Sequence, residues 1–406
     1  MVQRRSFLQG ALAWPVATSM ARTTMAMTMA RTTVATTVAT TAAMTVTGCS
    51  PSPAGLRIKI LSQSVPVQLV SAFQRSLQNS PQSAPPPNFS SEANLQDLFR
   101  LLQQWQSPQP PKGFWGSALP TPDLMTLGDA WLGDAIRQNL IQPWTLEGLE
   151  GWQALNDRYR SVVTRNPQGF PDPSGEIWGL PYRWGTTAIA YRPSVFKTWG
   201  WEPQDWSDLW RSELQGQIGL PDDPREVIGL VLKSLGVAYN TPDPGTVPTL
   251  ADRLGSLHRQ VKFYSSTHLV QPLLVKDVAL IVGWSTDLLP LTPLDRDIRI
   301  ILPQSGTALW ADLWVRPSQA SPEKLPGVQA WVNFCWQPDR ADLFSRFGRG
   351  TSPLGASSSL PTEDSPILNP SPEWLDRCEF VLPLSPSSQA AYQALWQTVR
   401  DPKLST

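Results

Sequence analysis

The chain contains few of the residues on which redox, metal and disulfide chemistry depend. Among its 406 residues there are 3 Cys, 2 His and 6 Tyr. Three cysteines cannot form a disulfide framework, and two histidines leave little material for a zinc site or a catalytic triad. His258 and His268 have no neighbouring Cys or His, which favours surface or capping roles over metal binding. We therefore expect neither a metal ion nor a cofactor.

An excess of charge of either sign is also missing. Lys and Arg together number 33, and Asp and Glu together number 33. Because a nucleic-acid-binding protein needs a basic excess clustered on one face, we expect no nucleic-acid partner. Proline and tryptophan are abundant instead, at 41 and 19 residues. So many indoles indicate either aromatic core packing or a surface that holds apolar or cationic ligands.

The first 48 residues are predicted to be an export signal and not part of the fold. Residues 3–8 read Gln-Arg-Arg-Ser-Phe-Leu, which matches the twin-arginine pattern of bacterial export signals, and residues 10–21 are uncharged. Val46-Thr47-Gly48-Cys49 resembles a lipobox, which predicts that Cys49 is lipidated and that residues 49–55 form a flexible tether. The expected location is the periplasm, with the chain held at the membrane through the lipid alone.

Two other interpretations of this amino terminus stay open. One is a basic, disordered segment, because residues 1–48 carry four Arg and no acidic residue. The other is a transmembrane helix. Arg22 and Arg31 would lie inside that helix, and buried arginines are costly in a bilayer.

Beyond the tether, strand-like and helix-like segments alternate, and the length predicts two domains. Predicted strands cover residues 57–61, 123–127, 187–191, 216–220, 278–282 and 298–302. Predicted helices cover residues 65–77, 95–105, 130–140, 224–235, 324–336, 340–347 and 389–400. This alternation predicts α/β layers with largely parallel sheets, and such sheets bind ligands at the carboxyl ends of their strands.

Several segments carry motifs in a fixed order: Pro122-Asp-Leu-Met-Thr-Leu-Gly-Asp, Leu180-Pro-Tyr-Arg-Trp-Gly-Thr-Thr-Ala-Ile-Ala-Tyr191, Asp208-Leu-Trp210, Gly216-Gln-Ile-Gly-Leu-Pro-Asp-Asp-Pro-Arg-Glu226, Trp310-Ala-Asp-Leu-Trp-Val315 and residues 325–347. Together they resemble bacterial extracellular solute-binding proteins of the spermidine/putrescine (polyamine) ABC transporter family, from about residue 56 to about residue 350. The resemblance implies an α/β, two-lobed periplasmic binding protein fold (type II), with mixed sheets flanked by helices and the ligand cleft at the hinge. It implies no enzymatic activity.

The resemblance also implies an organisation and a set of partners. One lobe would comprise residues 56–187 and 312–358, and the other residues 188–311 and 359–406. The lobes would close over a polyamine, and the rims of both would contact the two membrane subunits of an ABC importer. We expect the receptor to act as a monomer.

The same resemblance places Asp223, Glu226, Trp284, Trp310 and Asp312 in the cleft. A polyamine is a chain of methylenes that carries separated ammonium groups. Its receptor needs separated carboxylates with aromatic faces between them, because indole faces attract cations and cover alkyl carbons.

Each of these residues also has a structural interpretation. Asp223-Pro-Arg-Glu226 is a capping box, with Asp as N-cap, Pro at N1 and Glu at N3. Trp284 and Trp310 could be core indoles. Asp312 lies in an apolar run, and a buried carboxylate needs a cationic partner in the protein or in the ligand. Asp312 is therefore the strongest single site candidate.

Some residues depart from the family pattern. Ser62-Gln63-Ser64 replaces the aromatic and acidic cluster that the family pattern has after the first strand. The Tyr that the pattern has after the Phe-Gly of the late helix is replaced near Arg349-Gly350. Arg183 would bring positive charge near the cleft, which repels an ammonium group and attracts a carboxylate. The alternatives are therefore a receptor of the same fold for a different, anionic solute, or an envelope protein without a transport role.

The remaining candidates are weaker. No nucleophile and base occur in a recognisable catalytic pattern, which disfavours an enzyme, and the scattered tyrosines disfavour a ferric-ion receptor. Cys335 and Cys378 could pair in the periplasm. Because twin-arginine export carries a chain folded in the reducing cytoplasm, we expect two buried thiols instead.

Overall fold

A computed structural model of the chain describes residues 55–79, 85–107, 119–355 and 365–400. The predicted export signal, Cys49 and residues 49–54 of the tether lie outside the described residues. Within the described ranges, no helix combines the length and the apolar character that crossing a bilayer requires.

The described residues form an alternating series of strands and helices. The strands are β1 Arg57–Leu61, β2 Asn88–Glu92, β3 Leu124–Gly128, β4 Ile141–Gln142, β5 Thr164–Arg165, β6 Glu176–Ile177, β7 Leu180–Tyr191, β8 Ile218–Leu220, β9 Val261–Tyr264, β10 Leu280–Trp284, β11 Arg299–Ile301, β12 Ala308–Pro317 and β13 Glu379–Phe380. The α-helices are α1 Val67–Gln78, α2 Leu95–Gln106, α3 Asp129–Arg137, α4 Asp157–Val163, α5 Pro193–Trp199, α6 Pro224–Ser234, α7 Leu250–Gln260, α8 Val270–Leu274, α9 Ser285–Leu288, α10 Leu325–Cys335, α11 Pro338–Phe347, α12 Ser365–Leu368, α13 Pro372–Leu375 and α14 Pro386–Arg400.

The predicted helices are confirmed to within one turn, because their caps and apolar periodicity are local signals. In α2, for example, the Asn94 side chain caps the helix by accepting a hydrogen bond from the Asp97 backbone N–H. The buried face of this helix carries Leu98, Leu102 and Trp105. The strand predicted at residues 57–61 coincides with β1.

The main sheet is mixed, and its strand order is β2-β1-β3-β12-β7-β10-β8-β9. At the two ends the strands are parallel: β1 pairs with β2 and β3, and β8 pairs with β9 and β10. In the middle, β12 is antiparallel to β3 and β7, and β7 is antiparallel to β10. The expectation of largely parallel sheets is therefore wrong at the centre, where two long strands run between the parallel groups in opposite directions.

Of these long strands, β7 connects two hydrophobic cores, whereas the core residues of β12 all belong to the first. In β7, Leu180, Tyr182 and Trp184 belong to the first core, whereas Ile189 and Tyr191 belong to the second. A strand that leaves one core and enters another is the crossover of a two-lobed fold. The stretch between the two cores therefore lies where a hinge and a ligand cleft are expected.

Many of the tryptophans are buried in the first core. Trp314 and Trp331 are fully buried, and the Trp314 ring stacks on Tyr182 with 4.1 Å between the ring centroids. Cys335 and Cys378 are buried and unpaired, which confirms the prediction of two thiols. Burial raises the pKa of the Cys378 thiol to about 11, so it is protonated at neutral pH.

Candidate functional site

A cavity of about 430 Å³ opens at the carboxyl ends of β8 and β10. This volume lies within the usual range for small-molecule sites. The position agrees with the rule that α/β sheets bind ligands beyond the ends of their strands. The polar and aromatic side chains that line it include Thr187, Glu226, Trp284, Asp287 and Arg349.

Glu226 is the most deeply placed charge in this cavity, at 8% exposure. The Thr187 hydroxyl donates to its Oε2 at 3.0 Å, and the Tyr239 hydroxyl lies 3.2 Å from the same oxygen. The Trp284 indole N–H donates to Oε1 at 3.4 Å. Since an ionised carboxylate has about four acceptor positions, Oε1 keeps capacity for a further donor.

The charge of Glu226 is not neutralised by the described part of the chain, where no Lys, Arg or His nitrogen lies within 4.0 Å of its carboxylate. Burial, and to a lesser extent the nearby Asp223, raises the pKa of its carboxyl to a net value of about 7. The hydrogen bonds from Thr187, Trp284 and Tyr239 lower it. A buried carboxylate without a counter-ion is costly, and a cationic ligand would remove that cost.

Trp284 is exposed where a core indole would not be. It is the last residue of β10, with 37% of its surface exposed, while Leu280 to Gly283 before it are buried. Its N–H is directed to Glu226, which leaves a ring face toward the cavity. The structure therefore brings together two of the five predicted contacts, Glu226 and Trp284.

Asp223 is the N-cap of α6. Its carboxylate accepts hydrogen bonds from the backbone N–H groups of Arg225 at 2.8 Å and Glu226 at 3.2 Å, and Pro224 occupies the first helical position. The predicted capping box is only half formed, because the Glu226 side chain turns to Thr187 and Tyr239 and not back to the cap. Asp223 thereby fixes the helix end that carries Glu226.

Asp312 is buried at 1% exposure in β12, and its partner is Arg183 on the neighbouring strand β7. The Arg183 Nε donates to Asp312 Oδ2 at 2.7 Å, and Nη2 forms an ion pair with the same oxygen. Burial raises the pKa of the Asp312 carboxyl, and Arg183 lowers it. The cationic partner that this carboxylate needs is thus supplied by the protein, and Asp312 does not line the cavity.

Trp310 also lies beside the cavity and not in its wall. Its N–H donates to the Thr186 carbonyl oxygen at 3.3 Å, and the Arg183 guanidinium lies 5.5 Å from its ring centroid. A Cβ at Gly185 would overlap the Trp310 ring, so this glycine allows the indole to lie flat on β7. Trp310 therefore covers the Arg183–Asp312 pair.

Two charged residues of the cavity were not predicted as contacts. Asp287 follows β10 in α9 and its side chain is solvent-exposed. Partial desolvation raises the pKa of its carboxyl, and the guanidinium groups of Arg183 and Arg349 lower it. Its position just after the end of a strand is the signal that could have identified it. Arg349 lies in a Gly-Arg-Gly turn after α11, near the position where the family pattern has a Tyr.

The described residues contain no group of three or more His, Cys, Asp or Glu side chains arranged to hold a metal ion. His258 contacts the Tyr264 hydroxyl, with 3.2 Å between Nδ1 and the oxygen.

Comparison with known proteins gives consistent results. Residues 120–374 match the family described as bacterial extracellular solute-binding protein. A spermidine/putrescine-binding periplasmic protein of Salmonella typhimurium is 26% identical over 235 residues, which cover 56% of this chain and 65% of that protein. The protein of the same description from Escherichia coli K12 is 29% identical over 196 residues, covering 47% of this chain and 54% of that one. The match thus spans less than two thirds of either relative.

The fold is also found among solved structures. The spermidine/putrescine ABC transporter substrate-binding protein PotD of Streptococcus pneumoniae superimposes with a TM-score of 0.70 at 20% identity, covering 87% of this chain and 99% of that one. This similarity shows the two-lobed α/β fold that the resemblance implied. Because the family match covers residues 120–374, more than half of the sequence, the chain belongs to the family of bacterial extracellular solute-binding proteins.

Proposed function

We propose that this chain is the solute-binding receptor of an ABC importer and that it binds a polyamine-like cation by lobe closure. The observation that carries the proposal is Glu226, a buried carboxylate without a counter-ion that points into a cavity beside the exposed Trp284. The relatives described as spermidine/putrescine-binding periplasmic proteins support the same solute class.

The chemistry of the cavity suits an alkyl amine. An ammonium group at Glu226 would use the free acceptor position of Oε1 and neutralise the buried charge. The alkyl chain would then lie along the Trp284 ring and the apolar wall, where Leu269 and Leu291 line the cavity. Each buried methylene contributes about 0.8 kcal/mol, and an ammonium over an indole contributes about 0.5 to 2 kcal/mol.

Lobe closure requires two bodies joined by crossovers, and we propose that β7 and the segment between β11 and β12 are two of these crossovers. The predicted lobes, residues 56–187 with 312–358 and residues 188–311 with 359–406, stay a proposal. The two hydrophobic cores support the change of lobe near residue 187. Because Leu309 and Ala311 already pack in the first core and Ile301 packs against the second, we propose that the next change precedes β12. Because Trp374, Cys378 and Phe380 pack in the first core, we propose that the last crossover follows Phe380.

The other predicted ligand contacts, Asp223, Asp312 and Trp310, stay predictions. In this proposal they would hold neighbouring residues in position. Asp223 would hold the end of α6, and Asp312 and Trp310 would hold Arg183. The hypothesis of an anionic solute was based on Arg183. Because the guanidinium binds Asp312 and the Gly348 carbonyl oxygen, it is less able to bind an anionic ligand. An envelope protein without a transport role remains the other alternative.

We further propose the cellular setting that the sequence predicts. The chain would leave the cytoplasm by twin-arginine export, carry a lipid on Cys49, work in the periplasm as a monomer and deliver its solute to two membrane subunits. The periplasmic relatives support this location. The proposal includes no catalysis.

Isothermal titration with putrescine and spermidine tests the binding site. The wild-type chain should bind with micromolar affinity, which corresponds to about −8 kcal/mol. Glu226→Gln keeps the shape of the side chain but removes its charge and should abolish the heat of binding. Glu213→Gln, an identical change at an exposed position outside the cavity lining, is the control. Equal binding by wild type and Glu226→Gln would contradict the proposal.

A further inference from the structure

The cavity that holds Glu226 also contains a positive charge. Arg349 lines the same cavity, is exposed, and has no carboxylate within 4.0 Å among the described residues. A guanidinium group is positively charged, so it repels an ammonium group, and it offers hydrogen-bond donors only, so it binds an acceptor such as a carbonyl oxygen.

The position of Arg349 is fixed by its neighbours. The Gly348 carbonyl oxygen accepts a hydrogen bond from Arg183. Thr351 pairs with Trp184 through two backbone hydrogen bonds of 2.8 Å each. A Cβ at Gly350 would lie 2.7 Å from Arg183 Cγ, so only glycine fits there. The turn that presents Arg349 is therefore held against β7 on both sides.

The charges in the cavity wall do not match a fully protonated polyamine. Glu226 and Asp287 are the acidic residues of the lining, and Arg349 is the basic one. With all three ionised the wall carries one net negative charge. Arg349 lowers the pKa of the Asp287 carboxyl, so these two charges offset each other and Glu226 is the lining carboxylate that is left for an ammonium group. Putrescine carries two positive charges, so its second ammonium group would meet the Asp287–Arg349 pair, where the guanidinium repels it. Conversion of one amino group to an amide removes one positive charge and adds a carbonyl acceptor.

We propose that the preferred solute is a mono-acylated polyamine, with its free ammonium group at Glu226 and Trp284 and its amide carbonyl facing Arg349. This inference rests on the proposed receptor function and narrows its solute class. It accounts for a cavity in which Glu226 has no counter-ion, while Arg349 and Asp287 offset each other's charge and the exposed guanidinium keeps hydrogen-bond donors for a carbonyl oxygen.

The test compares three solutes that share a four-carbon chain with a terminal amino group, on the full chain by isothermal titration: N-acetylputrescine, putrescine and 4-aminobutanoate. The wild type should bind N-acetylputrescine about tenfold more tightly than putrescine, because a like-charge contact is replaced by a charge-assisted hydrogen bond. Arg349→Gln should weaken N-acetylputrescine binding and strengthen putrescine binding. Arg259→Gln, at an exposed site on α7 outside the lining, should leave the ratio unchanged.

The ratio of two affinities on one sample does not depend on the folded fraction, so misfolding of a variant cannot imitate the result. The inference is overturned if putrescine binds as tightly as N-acetylputrescine, if Arg349→Gln leaves their ratio unchanged, or if 4-aminobutanoate binds most tightly. If putrescine binds at least as tightly as N-acetylputrescine and its binding is lost in Glu226→Gln, the receptor proposal stands while the acylated solute class fails. If no amine binds the wild type, the receptor proposal fails as well.

Discussion

Amine binding should depend on pH through Glu226. Only the ionised carboxylate attracts an ammonium group, and burial raises the pKa of Glu226 to about 7 in the ligand-free protein. Binding below pH 7 must therefore displace a proton. The apparent affinity should fall about tenfold from pH 8 to pH 6. About 0.9 proton should be released per ligand at pH 6 and about 0.1 at pH 8.

The same pKa predicts how Glu226 affects stability. Because the pKa is higher in the folded state than the 4.5 of an unperturbed glutamate, the folded protein holds this proton more tightly. That contribution is present below pH 4.5 and is lost as pH rises through about 7. The loss amounts to about 3 kcal/mol at most. Glu226→Gln should therefore be more stable than wild type at pH 8 while it binds no amine.

Two measurements check this linkage. Titration calorimetry in buffers of different ionisation enthalpy gives the number of protons released, and urea unfolding at pH 5 and pH 8 gives the free energy of unfolding. The Glu213→Gln protein is the control for both. The reasoning fails if the affinity is the same at pH 6 and pH 8, or if Glu226→Gln destabilises the protein equally at both pH values.

Further predictions concern the residues that support the cavity. Arg183→Met leaves the Asp312 carboxylate buried without a counter-ion and should lower the free energy of unfolding by about 3 to 5 kcal/mol; the double variant with Asp312→Leu should recover much of this in urea unfolding. Gly229→Ala places a methyl group against the Tyr239 ring; it should cost about 1 to 3 kcal/mol and weaken amine binding in calorimetry. Asp223→Ala removes a helix cap and should cost about 1 kcal/mol, whereas Asp223→Asn, measured alongside, should cost much less.

The local parts of the fold could be predicted from the sequence because their causes are local. The cap and proline that start α6 and the apolar face of α2 are visible in a short window of residues. The strands β2 and β9 and the helix α7 were not predicted. In the case of β2, the sequence Asn-Phe-Ser-Ser-Glu shows little apolar alternation. The antiparallel centre depends on how distant segments pair, which local periodicity does not encode.

The site was predicted in part, and that prediction came from the family resemblance. Of the five cleft residues that the resemblance implied, Glu226 and Trp284 line the cavity. Asp312 was correctly expected to need a cation, but the sequence could not tell whether protein or ligand supplies it. Arg183 is 129 residues away in the chain and reaches Asp312 only through strand pairing. The presence of Arg349 in the same cavity depends on the fold alone.

A crystal structure of the chain grown with N-acetylputrescine or putrescine tests the central claim most directly. The account predicts an amine nitrogen about 2.7 to 3.2 Å from a Glu226 carboxylate oxygen, with the alkyl chain along the Trp284 ring and the Arg183–Asp312 pair intact. An amine bound at Asp312 with Arg183 displaced would contradict the account. So would an empty cavity at saturating ligand concentration.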